Sequence, residues 1–195
     1  MSFKYAIALT GSIATGKSSV ATIFKSYGFN IIDADMVAHK VLDDNYIKIS
    51  DIFGKEYVLD NRVDRKRLGT LIFSNKDAKK RLENLLHPLI FKEIERLSIE
   101  RDRLQKVYII DIPLFFETNR YPISRVIVVY TPKEIQLQRL IDRDKLSKEE
   151  ALKRINSQID IEEKKIRATY LIDNSKDLKF LQQECDRVKR EILNY

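Results

Sequence analysis

The chain is poor in the residues that staple, ligate or stack: among 195 residues it has one cysteine, two histidines and no tryptophan. Cys185 alone cannot form an internal disulfide, and no Cys/His cluster offers metal-ligand spacing, which argues against zinc and redox chemistry. No apolar run approaches the roughly 20 residues that a bilayer span needs. The start, MSFKYAIALTGS, runs into polar Thr10 and Gly11 without a signal-peptide cleavage pattern, so a cytoplasmic location is expected. Basic residues interleaved with aromatics, which would stack single-stranded bases, are sparse. There are no internal repeats and no low-complexity segments.

What is present is a globular composition, with 44% hydrophobic and 33% charged residues, both signs well mixed. The length predicts a single domain. A net charge of +7 favours anionic partners without choosing among them. Most of the excess is local: residues 62–106 hold 13 Lys/Arg and 7 Asp/Glu, which is 13 − 7 = +6. That stretch reads either as a lobe that receives an anion or as a solvated basic helical face.

The order of segments predicts the architecture. Tyr5–Leu9, Asn30–Asp33, Val107–Asp111, Arg125–Tyr130 and Tyr170–Ile172 are short, apolar, β-branched runs separated by helical stretches, the pattern of a five-stranded parallel sheet covered on both faces. A helix should run from Lys17, with Val20, Ile23 and Phe24 on one face, and stop near Gly28. More than seventy residues between the second and third runs are too many for one crossover helix and predict a helical lobe. Within it Pro88 suits the first turn of a new helix whose buried stripe is Ile90, Ile94 and Leu97. A second helical insertion spans Pro132 to Arg167, breaks near Lys145–Ser147 and restarts at Lys148, where Ser147 and Glu150 form a capping box.

Gly11-Ser12-Ile13-Ala14-Thr15-Gly16-Lys17-Ser18 satisfies G-x-x-x-x-G-K-[ST] and lies between a predicted strand and a predicted helix. A chance match is on the order of one per cent from average residue usage, and two of only five glycines fall on the required positions. Glycines let the backbone wrap a phosphate with its N–H groups inward, and the helix N-terminus adds partial positive charge. Lys17 would reach the β and γ phosphates, and Ser18 would offer a hydroxyl to Mg²⁺.

A phosphate loop does not by itself separate a kinase from a switch GTPase or a motor, so the acids matter. Asp33 ends the second strand, where a parallel sheet meets its ligand, and reads as acceptor for the proton of an attacking hydroxyl or as a helix N-cap. Asp35 is expected to be the better N-cap of the following helix. Asp111 reads as a Walker B-type acid orienting a metal-bound water, or as the cap of the turn before Pro113. Arg139 and Arg143 stand at i, i+4 and project to one side of a helix, with Arg154 on the next. They read either as lid arginines that stabilise the transferring phosphoryl group or as surface partners of Asp142, Asp144 and Glu150. His39 and His87 are not metal candidates, although His87 lies in the basic insertion.

Taken together, LTGSIATGKSSVA, GFNIIDADMVAHKVL, Phe53-Gly54, VDRKRL, LENLLHPLI, DIPLFFE, QLQRLIDRD and LIDN resemble, in the same order and over nearly the whole chain, the dephospho-coenzyme A kinases, relatives of the nucleoside monophosphate kinases. The resemblance implies an α/β P-loop kinase fold with core 1–34, 105–132 and 168–195, a helical substrate lobe at about 35–104 and a helical lid at about 133–167. It implies transfer of the ATP γ-phosphate to the ribose 3′-hydroxyl of dephospho-coenzyme A, the last step of coenzyme A synthesis, with Mg²⁺ as cofactor. It further implies catalytic roles for Asp33, Lys17, Arg139 and Arg143, and an ATP site of Gly11, Ser12, Ile13, Ala14, Thr15, Gly16, Lys17, Ser18 and Ser19 with Asn174 near the adenine. Thr10, Asp33, Arg65 and His87 are then substrate-binding, and Ser18 touches the metal. No nucleic-acid or membrane partner and a monomer or weak homo-oligomer are expected. The family loop usually reads GGIGSGKST, so Ser12, Ala14 and Thr15 depart from it; His39 stands where the family more often has arginine, which makes any phosphate contact there pH-sensitive or removes it.

Three other readings stay open at this point. A kinase for another nucleotide or small alcohol would share the loop. A nucleotide-controlled binding module would need a base reader, and Asn174-Ser175-Lys176-Asp177 has the wrong spacing for guanine. A nucleic-acid binder is suggested by charge alone.

Overall fold

The structure, a computed structural model, describes residues 2–194. β1 (Ala6–Gly11) is buried along its whole length and leads through the phosphate loop into α1 (Lys17–Ser26), which buries Val20, Ala21 and Phe24. Gly28, at φ +87°, stops that helix, its N–H returning to the Lys25 carbonyl. Next come β2 (Ile31–Asp33), α2 (Ala34–Asp44), α3 (Tyr46–Phe53), a 3₁₀ turn at Lys55–Tyr57, β3 (Val58–Leu59), β4 (Arg62–Val63), α4 (Arg65–Ser74) and α5 (Lys76–Asp102). β5 (Tyr108–Asp111), α6 (Phe115–Thr118), β6 (Val126–Tyr130), α7 (Lys133–Asp144), α8 (Lys148–Ile155), α9 (Ile161–Ile166), β7 (Tyr170–Asp173) and α10 (Leu178–Leu193) complete the order.

The expected five-stranded parallel sheet is present, in the order β2-β5-β1-β6-β7. β1 pairs with β5 from Ala6 opposite Tyr108 to Leu9 opposite Asp111, and with β6 from Ala8 opposite Val126 to Gly11 opposite Val129. Helices cover the sheet, which is why its strands are continuous apolar runs rather than alternating ones. Ile7, Leu9, Ile109, Ile127, Val129 and Ile172 pack with Val20 and Phe24 of α1 and with Leu181, Cys185 and Val188 of α10. Each such side chain contributes roughly 1.5–3 kcal/mol by leaving water. Among the described residues no helix is long and apolar enough to cross a membrane.

The chain divides into two compact units, Asp33–Ser98 and the remainder. The 33–98 unit has its own core, in which Val41, Ile49, Val63, Leu68, Leu82 and Leu86 are buried. It is mainly helical, with an unforeseen element: β3 and β4 form a two-residue hairpin turned by Asp60 and Asn61, both at positive φ (47° and 60°). Pro88, expected in the first turn of a new helix, instead lies inside the 27-residue α5. Its missing N–H frees the Asn84 carbonyl, yet Pro88 and Asn84 share an exposed face while Leu82, Leu86 and Ile94 are buried, so packing carries the helix through.

The second insertion folds as three helices. Lys145, at φ 55°, ends α7, and Ser147 and Glu150 close the foreseen capping box: the Glu150 N–H donates to Ser147 Oγ at 3.2 Å, and the Ser147 N–H donates to Glu150 Oε2 at 2.9 Å. Such a cap stabilises by about 1 kcal/mol. A further break at 156–160 separates α8 from α9, with Asp160 capping the latter.

Cys185 is fully buried, and burial, helped by Asp186 and Glu184, pushes its thiol up from an ordinary 9.0 to about 12. A raised acid holds its proton more tightly when folded. Its contribution to stability is therefore intact below pH 9.0 and is lost as pH rises towards about 12. At pH 8 the native protein should react with a colorimetric disulfide reagent at least roughly a thousandfold more slowly than the guanidinium-unfolded chain; equal rates would show the thiol to be accessible and ordinary.

Candidate active site

The loop between β1 and α1 is bent tightly. The Thr15 N–H and hydroxyl both donate to the Ser12 carbonyl, at 3.2 and 2.9 Å. Gly16 adopts φ +87°, and a Cβ there would lie 2.1 Å from the Asn174 side-chain nitrogen, so only glycine fits. Gly11 is required by close approach instead: a Cβ would lie 2.6 Å from Thr15 Oγ1 and 3.0 Å from the Val129 carbonyl. Ala14, one of the departures from the family loop, takes φ 62°, a conformation that costs a non-glycine residue about 1–2 kcal/mol. Its methyl group offsets part of that by packing with Ile13 against the Leu140, Ala151 and Ile155 cluster of α7 and α8.

Asn174, expected near an adenine, braces the loop. Its side-chain N–H₂ donates to the Thr15 carbonyl at 2.8 Å, and the Thr131 hydroxyl lies 3.2 Å from the same oxygen. The Asn174 carbonyl in turn accepts from Arg139 Nη2 at 2.9 Å. Arg139 is thus fixed on the wall of an open pocket of about 1030 Å³ that Ala14, Gly16, Ser19, Arg143 and Asn174 also line. Ser18 and Ser19 are exposed in the first turn of α1, which carries no acidic residue.

Lys17 Nζ donates to Asp111 Oδ1 at 2.5 Å. Asp111, at the end of β5, is therefore the counter-ion of the loop lysine. Arg143 points to a different partner: it pairs through two nitrogens with Asp144, at 2.7 and 3.2 Å, and Arg154 joins the same carboxylate at 3.1 Å. Hydrogen bonds from Arg143, then the charge of Arg154, hold Asp144 below the usual carboxylate range, and Asp144 raises Arg143. The surface ion pairing left open by the sequence is the geometry adopted by Arg143 and Arg154, though not by Arg139.

One sequence expectation needs correction. Asp33, not Asp35, is the N-cap of α2: its Oδ1 accepts from the Met36 N–H at 2.9 Å, while Asp35 sits in the first turn. β2 runs straight into the helix, so the residue still in extended conformation (φ −90°, ψ 110°) is Asp33. Thr10, expected to touch substrate, is fully buried, and its hydroxyl donates to the Pro113 carbonyl at 3.0 Å, tying β1 to the turn after β5.

Within the 33–98 unit, Arg65 opens α4 and pairs with Asp43. Both line an open pocket of about 810 Å³ together with His39, Lys40, Asp44 and Arg62, and there Lys40 pairs with Asp44 as Arg65 does with Asp43. His87, half-buried on α5, is not among the residues lining that pocket.

Four polar residues around the loop escaped the sequence reading: Thr131, Gln158, Lys164 and Glu117. Thr131 and Lys164 are completely buried. For Lys164 a signal existed, because it stands three residues after buried Ile161 and so falls on the apolar face of α9. Gln158 and Glu117 lie in turns and at a helix end, where no periodicity marks a side chain as inward.

A glycine-bent loop closed onto a helix N-terminus, a loop lysine held by the acid of the next strand, and a five-stranded parallel sheet define a P-loop kinase. The family model described as Dephospho-CoA kinase matches residues 5–179. A Dephospho-CoA kinase of Sulfurimonas denitrificans is 54% identical over 192 residues, covering 98% of this chain and 96% of the relative. One of Helicobacter pylori strain J99 is 42% identical over 196 residues, covering 99% and 100%. The solved Dephospho-CoA kinase from Campylobacter jejuni superposes with a TM-score of 0.79 at 44% identity, covering 96% of each chain. The chain belongs to the dephospho-CoA kinase family.

Lys17→Ala should lower ATP-dependent turnover at least roughly a hundredfold, since it removes a charge contact worth about 3 kcal/mol in the transition state. Steady-state kinetics at saturating ATP check this, and turnover within about threefold of the parent would deny Lys17 its phosphate contact.

Proposed function

We propose that the protein transfers the γ-phosphate of ATP to the ribose 3′-hydroxyl of dephospho-coenzyme A, completing coenzyme A. The observation that carries this reading is the braced phosphate loop, with Lys17 set against Asp111, in a chain of the dephospho-CoA kinase family. The α1 N-terminus and those loop amides not already bonded within the protein, as Ile13 is to Gln158 and Thr15 to the Ser12 carbonyl, take the phosphates of ATP. Lys17 exchanges Asp111 for the β and γ oxygens, and Asp111 keeps the ammonium near the loop until nucleotide arrives. Arg139, already fixed by the Asn174 carbonyl, faces the nucleotide pocket and brings positive charge to it.

Among the described residues no three His, Cys, Asp or Glu side chains are grouped to hold a metal by themselves. That donor set suits Mg²⁺ held mostly by phosphate oxygens and water, with the exposed Ser18 hydroxyl as the protein ligand. Bound there, Mg²⁺ would neutralise charge on the β and γ phosphates.

Asp33 is the acceptor for the 3′-hydroxyl proton. Its support is its place as last residue of β2, because ligands of parallel sheets gather at the carboxyl ends of strands. Capping α2 engages Oδ1 with the Met36 N–H. The pocket containing Arg62, Arg65, Lys40 and His39 suits the pyrophosphate of the acceptor once Lys40 and Arg65 exchange Asp44 and Asp43 for it. The enzyme works in the cytoplasm as a monomer or weak homo-oligomer, without nucleic-acid or membrane partners.

Mass spectrometry of the product formed from ATP, Mg²⁺ and dephospho-coenzyme A tests the reading. A singly phosphorylated product whose new group is on the ribose 3′ oxygen is expected; transfer to other alcohols with this acceptor left untouched would sink it. For the base, Asp33→Asn should keep ATP affinity within about twofold while turnover drops by roughly 10² or more. A matching loss of ATP affinity would make Asp33 a ligand residue instead.

A further inference from the structure

Lys164 on α9 has no solvent-exposed side chain, an unusual state for a residue that is almost never buried unless paired. Its Nζ donates to the Gly11 carbonyl at 3.0 Å and pairs with Glu117 Oε1 at 2.6 Å. The same Glu117 oxygen accepts from the Ile159 N–H at 3.1 Å. One residue earlier, Gln158 Oε1 accepts from the Ile13 N–H at 2.8 Å. Glu117 Oε2 is buried with no hydrogen-bond partner, so the carboxylate depends on the Lys164 ammonium for its charge balance. Burial pushes the Lys164 ammonium below its ordinary range, and Glu117 pulls it back.

The contacts fall on the opening turn of the phosphate loop. In a trans peptide the C=O and the following N–H point in opposite directions. Holding the Gly11 carbonyl against Lys164 therefore turns the Ser12 N–H the other way. The helix end of the loop has a separate anchor, the Asn174 side chain on the Thr15 carbonyl.

We propose that the buried Lys164–Glu117 pair is a positioning device for the phosphate loop: it fixes the Gly11–Ser12 peptide and the Gln158–Ile159 segment at one point, and so holds the turn Gly11–Ile13 in its phosphate-accepting shape. Lys164 and Glu117 act through the loop and need not touch nucleotide. The inference rests on the ATP-binding reading of the loop and is independent of which alcohol accepts the phosphoryl group.

The test is calorimetric titration of the full chain with Mg²⁺-ATP and, separately, with AMP, no acceptor being present. Lys164→Met removes both Nζ contacts and keeps the apolar stem. It should weaken ATP at least roughly tenfold and AMP by less than about twofold, because the helix-end anchor survives and misplacement by about an ångström is costly only where it occurs. A merely structural lysine would lower the melting temperature and leave the ratio of the two affinities unmoved. ATP affinity within twofold of the parent, or an equal loss for both nucleotides, overturns the proposal. If Lys164→Met does not fold, Glu117→Gln decides by the same two criteria, since it keeps an acceptor for Ile159 and Lys164 but withdraws the charge. Failure of the parent protein to phosphorylate dephospho-coenzyme A would remove the proposed acceptor and leave this inference standing.

Discussion

A loop that turns its amides inward to meet a phosphate must turn carbonyls outward, and outward carbonyls away from water need donors. That constraint organises the nucleotide-binding unit. The Gly11 carbonyl receives Lys164 from α9, the Ser12 carbonyl receives Thr15 from within the loop, and the Thr15 carbonyl receives Asn174 from the end of β7 and Thr131 from the end of β6. Three segments far apart in the chain thus converge on eight residues. The cradle is shaped from behind, by groups that never need to meet the ligand.

The same constraint explains the glycines. Gly16 leaves room for the Asn174 amide that holds Thr15, and Gly11 leaves room for the Thr15 hydroxyl and the Val129 carbonyl. Where the family has glycine and this chain has alanine, at position 14, the loop takes a positive φ and recovers some of the cost by packing against α7 and α8.

Most of the fold was legible because its signals are local or periodic. Five apolar runs became the five strands of the sheet, Lys17 opened α1, Gly28 ended it, and Ser147 with Glu150 capped α8. Two of the misses come from the override of a local preference by the surrounding structure. Pro88 prefers a first turn, but buried Leu86 before it and Ile94 after it continue α5. Asp35 has the chemistry of a cap, but the strand extends through Asp33 and leaves that residue at the junction. The Asp60-Asn61 hairpin carries a turn signal, but its strands are two residues each, too short for alternation to mark them.

From its sequence alone this protein has a phosphate loop of defined chemistry, an α/β order of elements and an excess of positive charge, because glycine positions, hydrophobic period and residue counts do not depend on distant partners. Tertiary structure decided who those partners are. It set Asp111 against Lys17, drew Arg139 to the Asn174 carbonyl, and buried Lys164 with Glu117 behind the loop. The reason is that a charged side chain in water is free to choose among many neighbours, whereas one taken out of water must be matched by the few groups that the fold brings within hydrogen-bonding distance.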